Sequence, residues 1–445
     1  MRQFAFFILL LAVAVPRGWS QDDDSSTPDA EAPGTNINER YAVAAVELEG
    51  VSRSLISDAL YDEMQKMVGQ RLDHRQAEML RQRIESELGV RYTVVRKVRR
   101  STTPRQLQII YEVSRNPLLP FRNPRSFASY HSKEGFSFAF DVAPHLDHQR
   151  TQKLFVGAAN DGDSLIERFA GYRVGYENVK LATDRLGLRF DYATYHTQWN
   201  IHTFNAAQES VSGPGLYRRR RSLEASLAFA IDAYFYVTTG INANELEMQS
   251  PTVHFEPVRA GKASLRYRRV FGNGDDKQGL AGGYEVRTGT RALDSDFVYR
   301  RHSWDAEYMF RHDKHVIATT FVAGKITGNA PLFERFSLGD VETLRGWNKY
   351  EIAPLGGSRE AYGSLEYHFD HLLAFYDVGS IWDPGVSVKI KPSIGLGVGS
   401  TVKGTWDTGK EQSPFTLGDF SLILAVPFAE GKLQPTVMVM ARFHM

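Results

Sequence analysis

Three ionisable residues late in the chain are spaced to build an ion cluster rather than a reaction centre. Arg345 lies in Leu344-Arg345-Gly346-Trp347, Glu366 follows Gly363-Ser-Leu, and Asp377 stands two residues before Gly379. A guanidinium offers a planar fork of donors that fits carboxylates, and in a partly desolvated space it requires such partners. In bulk water it requires none, and the two acids would then merely be solvated. Catalytic chemistry has less support. There is no Gly-x-Ser-x-Gly elbow, no His-Glu-x-x-His, no phosphate-cradling loop and no nucleotide fingerprint. The 13 histidines are dispersed, and groupings such as Asp191 to His196 read as wall residues. No enzyme activity, cofactor or metal is expected; a barrel lipid hydrolase with a Ser–His pair on neighbouring strands is the remote alternative.

The elements that must position these residues are strands. From Pro124 to the end the chain alternates with period two. Phe136, Phe138, Phe140 and Val142 oppose Ser137, Ala139 and Asp141; Tyr172, Val174 and Tyr176 oppose Arg173 and Glu177; Leu186, Leu188 and Phe190 oppose Arg189 and Asp191. Leu223, Leu227, Phe229 and Ile231 oppose Glu224 and Ser226, and Trp304, Tyr308 and Phe310 oppose Asp305 and Glu307. Charge repeated on the second face is costly in a dry core and ordinary in the wet lumen of a membrane barrel. Counting such runs gives sixteen strands, an even number, with starts from Ser126 to Thr436 and a long connection at 326–360. The other long connections, 200–217 and 248–261, fall on the same rim as this one. A long turn at 404–415 falls on the opposite rim.

Composition is consistent with that reading. The net charge of +1 offers no field for nucleic acid, and the absence of cysteine excludes disulfides and a lipoprotein anchor. A mean hydropathy of −0.34 is no obstacle, since only alternate barrel residues meet lipid. Residues 1–20 have the form of a secretory signal: Arg2, an apolar run from Phe4 to Val15, and small residues before Gln21. An N-terminal anchor is the alternative, although twelve apolar residues are short for a span. Residues 21–40, acidic and poor in large apolar groups, are expected to form a disordered linker. Residues 41–115 read β-α-α-β-β, with Ser52 or Ser54 capping a first helix and Asp73 a second.

Taken together, Phe336-Ser-Leu-Gly339 through Trp347, Gly356-Gly357, Gly363 through Tyr367 and Phe375 through Trp382 resemble the C-terminal barrel of the BamA/TamA superfamily, of the bacterial surface antigen type. Its members insert or pass proteins through outer membranes. Leu344, Trp347 and Asp340 depart from the usual residues at their positions. The resemblance implies a mainly β protein: a 16-stranded transmembrane antiparallel barrel over 125–445, preceded by one small α+β POTRA-like domain in the periplasm. It implies that loop 326–360 folds inward, and that Arg345, with Gly346, Trp347 and Gly379 beside it, is held by Glu366 and Asp377. It also implies an assembly signal at Phe443 and a lateral seam between the last strand and the first, near Phe127, Tyr130, Val437 and Val439. Ordinary closure of the barrel remains equally open at that point. The partners implied are outer-membrane lipid, unfolded or partner polypeptides and periplasmic chaperones. A dedicated exporter or a passive porin-like channel stands as the rival. Arg218-Arg219-Arg220-Arg221 could hold lipid phosphates or serve as plain rim charge.

Overall fold

A computed structural model describes residues 41–88, 92–101, 103–115, 119, 126–147, 151–160, 165–210, 215–249, 252–271, 276–399, 416–429 and 432–444. The expected signal at 1–20, the acidic linker at 21–40 and the turn at 404–415 lie outside these residues. The chain divides into two compact units, and everything from Arg115 onward belongs to the second.

The first unit follows the expected element order. Strand β1 (Ala42–Glu49) is followed by helices α1 (Asp58–Lys66) and α2 (His74–Leu88), then β2 (Tyr92–Arg100) and β3 (Gln106–Arg115). Strand β3 occupies the centre of the sheet, parallel to β1. The helices bury Leu60, Met64, Ala77, Leu80 and Ile84, the positions set by a helical repeat. Asp73 caps α2, accepting from Arg75 and Gln76 at 2.8 and 3.2 Å. Ser57, not Ser52 or Ser54, caps α1, accepting from Leu60 at 3.2 Å. Ser52 caps a separate 3₁₀ turn, Arg53–Leu55, which leaves Leu55 exposed. Tyr111 reaches from β3 to the Ala77 carbonyl at 2.8 Å, and burial pushes its hydroxyl pKa up.

The second unit is a closed antiparallel barrel of sixteen strands. They are β4 (Ser126–His131), β5 (Gly135–Val142), β6 (Gln152–Asn160), β7 (Arg168–Asn178), β8 (Leu186–Gln198), β9 (Tyr217–Ala230), β10 (Phe235–Met248) and β11 (His254–Phe271). Then follow β12 (Asp276–Gly289), β13 (Tyr299–His312), β14 (His315–Gly328), β15 (Arg359–Phe369), β16 (Leu372–Trp382), β17 (Lys391–Gly399) and β18 (Thr416–Ala429). A two-residue β19 (Lys432–Leu433) precedes β20 (Thr436–His444), which pairs with both β18 and β4. Phe136, Tyr172, Phe190, Leu227, Trp304, Phe321 and Leu365 stand exposed on the outer face, while Asp141, Glu177, Asn242 and Ser264 are buried on the inner one. Alternation thus sorts the side chains as the sequence pattern requires.

Two connections differ from expectation. Strand β11 begins at His254, so the connection after β10 is short. Pro257 is accommodated in the ladder because β12 pairs with β11 only from Ala260 onward, and the Pro257 carbonyl accepts from Asp296 instead. The connection after β8 contains a helix, α3 (Ile201–Glu209), started by Asn200 accepting from His202 at 3.0 Å.

Candidate functional site: a loop anchored inside the barrel

The connection from β14 to β15 folds against the inner wall and carries most of its large side chains buried, including Leu332, Phe336, Leu338, Leu344 and Tyr350. Its path is set by local backbone chemistry. Asp340 accepts from the amides of Glu342 and Thr343 at 2.7 and 2.5 Å, closing a tight turn just before Arg345. Leu344 then takes φ +36° and Gly346 φ +90°, which turns Arg345 toward the wall. A Cβ on Gly346 would stand 2.9 Å from the Ala425 Cβ, so both conformation and space demand glycine there. Gly346→Ala is expected to cost about 1–2 kcal/mol, read as a lower midpoint of the heat-modifiable gel shift.

Arg345 is almost fully buried. Its Nε donates to Asp377 Oδ2 and one terminal nitrogen to Asp377 Oδ1, both at 2.8 Å, and its amide reaches Oδ2 at 3.0 Å. The other terminal nitrogen meets Glu366 Oε1 at 2.5 Å. Ser364 joins both sides, accepting from Arg345 at 3.2 Å and donating to Asp377 at 2.6 Å. His368 lies 3.2 Å from the far oxygen of Glu366. The guanidinium also rests on the Phe375 ring, 3.6 Å from its centroid. The structure therefore brings Arg345, Glu366 and Asp377 together, with one bidentate pair. Such a charge group can hold a loop.

The other expected residues surround it. The Trp347 Nε1 donates to the Pro392 carbonyl at 3.0 Å, under the Lys391 ammonium at 4.5 Å. Gly379 faces the loop, and a Cβ there would meet Leu338 at 3.0 Å. Gly363 makes no such close approach; its open site is on the outer side. Phe375, Ser364, Tyr362 and His368 belong to the cluster without having been singled out. Period two through Asp377 does put Phe375 on the inner face, and an aromatic there signals a cation above it.

A second anchor of opposite polarity lies at the other end of the loop. Glu334, also buried, meets Arg287 at 3.1 Å and Arg301 at 3.8 Å, on β12 and β13. Arg287 in turn holds Glu285 at 2.8 Å, and Lys262 bridges Glu285 and Glu224 at 3.6 and 3.0 Å. Nearby, Arg220 pairs with Glu167 at 2.5 Å and lies 4.7 Å from the centroid of the loop's Phe333. Glu334→Gln takes from Arg301 its anion and from Arg287 one of two, and is expected to destabilise the barrel by about 2–3 kcal/mol, again as a lower gel-shift midpoint.

The same loop crosses the junction of the last and first strands. Six positions pair there, from Met438 opposite His131 to Phe443 opposite Ser126. Val439 faces Tyr130, and Phe127 faces Arg442. Val437 extends the contact, its carbonyl accepting from Ser132 at 2.9 Å. The Phe443 side chain lies outside the described part of the strand. From inside, the Gly346 carbonyl accepts from Thr436 on β20 at 2.9 Å and from Lys133 in the β4–β5 turn at 3.1 Å. Glu134 in that turn accepts from the buried Lys349 amide at 3.0 Å, and Arg442 reaches Glu342 at 3.0 Å. One loop carbonyl therefore ties together both sides of the junction. Lys133 and Glu134 carry no motif; only their place in the first hairpin turn could have pointed to them.

The arginine run on β9 is not a free anion site: Arg218, Arg220 and Arg221 meet Glu247, Glu167 and Glu245 at 2.7, 2.5 and 3.0 Å, and Arg219 lies 3.8 Å from Glu247.

Residues 182–437 match a family model described as the Omp85 superfamily domain. The outer membrane protein assembly factor BamA of Nitratidesulfovibrio vulgaris is 29% identical over 124 residues, covering 24% of this chain and 14% of that protein. Among solved structures, BamA from Haemophilus ducreyi lacking POTRA domains 1–3 aligns with TM-score 0.50 at 17% identity, over 91% of this chain and 85% of that one. CdiB from Acinetobacter baumannii aligns with TM-score 0.52 at 12% identity, over 91% and 74% of the two chains. These structural likenesses concern the fold.

Proposed function

Because the chain belongs to the Omp85 superfamily, we propose that it is an outer-membrane barrel that helps insert or export other polypeptides without covalent catalysis. The observation that carries this reading is the short junction of β4 with β20, six paired positions clasped from the lumen by the loop. Ladders in the rest of the wall run from five positions, at β4–β5 and β5–β6, to fourteen, as between β10 and β11. Strands β4 and β20 are the two ends of the barrel and share no connecting turn, so a short ladder and the loop alone hold them together; parting them offers an unpaired strand edge to a client.

In this reading residues 41–115 form a POTRA-like domain on the periplasmic side. Its strand β2, paired on one side only, would receive an extended client segment by strand addition. The partners are then unfolded outer-membrane or secreted chains, delivered by periplasmic chaperones.

The test uses the natural absence of cysteine. Ser129 and Met440 stand opposite each other across the junction, and Ser129→Cys with Met440→Cys would cross-link it. Oxidised protein in liposomes is expected to lose assembly of a client barrel and to regain it on reduction. Full activity of the oxidised form would exclude the junction as the route.

A dedicated exporter pore is the second reading, favoured by the loop lying within the lumen. Deleting 329–358 would then raise single-channel conductance in planar bilayers while client insertion stays absent.

A further inference from the structure

The outer wall near the rim that carries the long loop holds cations in two different states. On β9 and β11, outward arginines have their own acids: Arg221 meets Glu245 at 3.0 Å and Arg259 meets Asp294 at 2.5 Å. On β13, β14 and β15, Arg300, Lys325 and Arg359 have no carboxylate partner among the described residues. Arg359 donates only to the carbonyls of Ile326 and Ser358, at 2.5 and 2.9 Å. Lys325 stands directly opposite Arg359 in the ladder, and opposite His302 on its other side, two residues from Arg300. Like charges placed opposite one another weaken a sheet unless an anion lies between them.

All three point outward, in the same alternation as the exposed Trp304, Phe321 and Leu365 on their strands. Their depth is informative. Lys325 lies ten residues (325 − 315) along β14 from His315, whose ring packs against Phe369 at 4.9 Å and Tyr367 at 6.0 Å. Ten steps of about 3.3 Å at a tilt of about 40° span about 25 Å of depth, the height of a barrel's apolar band. A second aromatic group, Tyr284 and Trp304 at 5.3 Å with His302 stacked on Trp304 at 5.9 Å, sits just below the cations. Interfacial aromatics mark the headgroup boundary. The three cations lie one step beyond it, at the level of lipid phosphates.

We propose that Arg300, Lys325 and Arg359 form a docking site for a net-negative, phosphate-bearing lipid headgroup, with Trp304 and Tyr284 against the adjoining carbons. Guanidinium and ammonium groups together supply the charge-assisted donors that a phosphate takes up. The site rests on the wall lying in a bilayer and is independent of how the β4–β20 junction behaves, so its failure would leave that reading untouched.

The full chain is reconstituted in phosphatidylcholine vesicles, and phosphatidic acid with dibrominated acyl chains is titrated in. Quenching is assigned to Trp304 by subtracting a Trp304→Phe control. The quench is expected to saturate at low mole fraction, and Arg300→Gln and Lys325→Gln each to weaken apparent affinity about fivefold. Lys325→Arg should stay near wild type, and so should Arg221→Gln, whose arginine already has its acid. Gel-shift behaviour checks folding, and where Arg300→Gln does not fold, Lys325→Gln alone decides. Wild-type affinity in the Gln variants would overturn the proposal. So would equal saturation by dibrominated phosphatidylcholine, which means generic contact with surrounding lipid, or complete competition by inorganic phosphate, which means a free-anion site.

Discussion

Arg345→Glu is expected to abolish the compact, heat-modifiable gel form of this barrel, or to lower its midpoint by the equivalent of more than about 4 kcal/mol. Removing one partner of a buried ion pair typically costs about 3–5 kcal/mol, because the other charge is left without compensation. Here the substitution would leave three carboxylates in one pocket beside the Phe375 ring, with Glu366 and Asp377 both nearly inaccessible to solvent. The companion variants separate charge from packing. Arg345→Met is expected to be strongly destabilising alone, and much of the loss to return when Glu366→Gln and Asp377→Asn are added. A well-packed neutral cluster can match a buried ionic one. Arg345→Lys keeps the charge but cannot reproduce the fork that spans both oxygens of Asp377. In double-mutant cycles the coupling to Asp377, with two guanidinium contacts, should exceed that to Glu366, with one. Equal stability of Arg345→Glu and wild type would remove the ion cluster from any account of this fold.

The second large effect concerns the clasp. Lys133→Met together with Thr436→Val strips both side-chain donors from the Gly346 carbonyl while leaving every strand intact. A buried carbonyl left without a donor costs about 1–3 kcal/mol, and opening the junction would let water supply one. The open state should therefore gain population by about tenfold or more. A single cysteine at Met440, buried beneath the loop, reports on it: thiol labelling of the double variant is expected to accelerate by that factor. Unchanged labelling would mean that the loop rests against the junction without restraining it.

Much of this architecture was legible because a membrane barrel repeats one rule. Each strand with apolar residues on one face and charges on the other is placed by alternation alone, and the apolar neighbours Leu365 and Tyr367 direct Glu366 inward. Where the loop covers the wall, the rule fails. Phe375, Leu373, Ile423, Met438 and Met440 form an apolar patch on the inner face under Val341, so inward positions there are no longer polar. Alternation around Asp377 therefore leaves its direction open, and an apolar Phe375 beside it gives no sign of a place in the cluster. The Glu334 anchor was hidden for a different reason. Its partners Arg287 and Arg301 lie on distant strands, and only the path of the loop brings the three together. The arginine run at 218–221 drew attention by composition, yet its charges are met by acids of neighbouring strands. The unmatched cations at 300, 325 and 359 form no run at all, since they meet only across the ladder.

The central claim is that the loop, fixed by Arg345, holds the β4–β20 junction shut. Spin labels at Phe136 and Leu424, both exposed and flanking that junction, measure it directly through their distance distribution in liposomes. A single short distance is expected for the wild type. Arg345→Lys should add a longer population, and Glu334→Gln, on the far wall, should not. Identical distributions in wild type and Arg345→Lys, with the barrel folded in both, would contradict the claim.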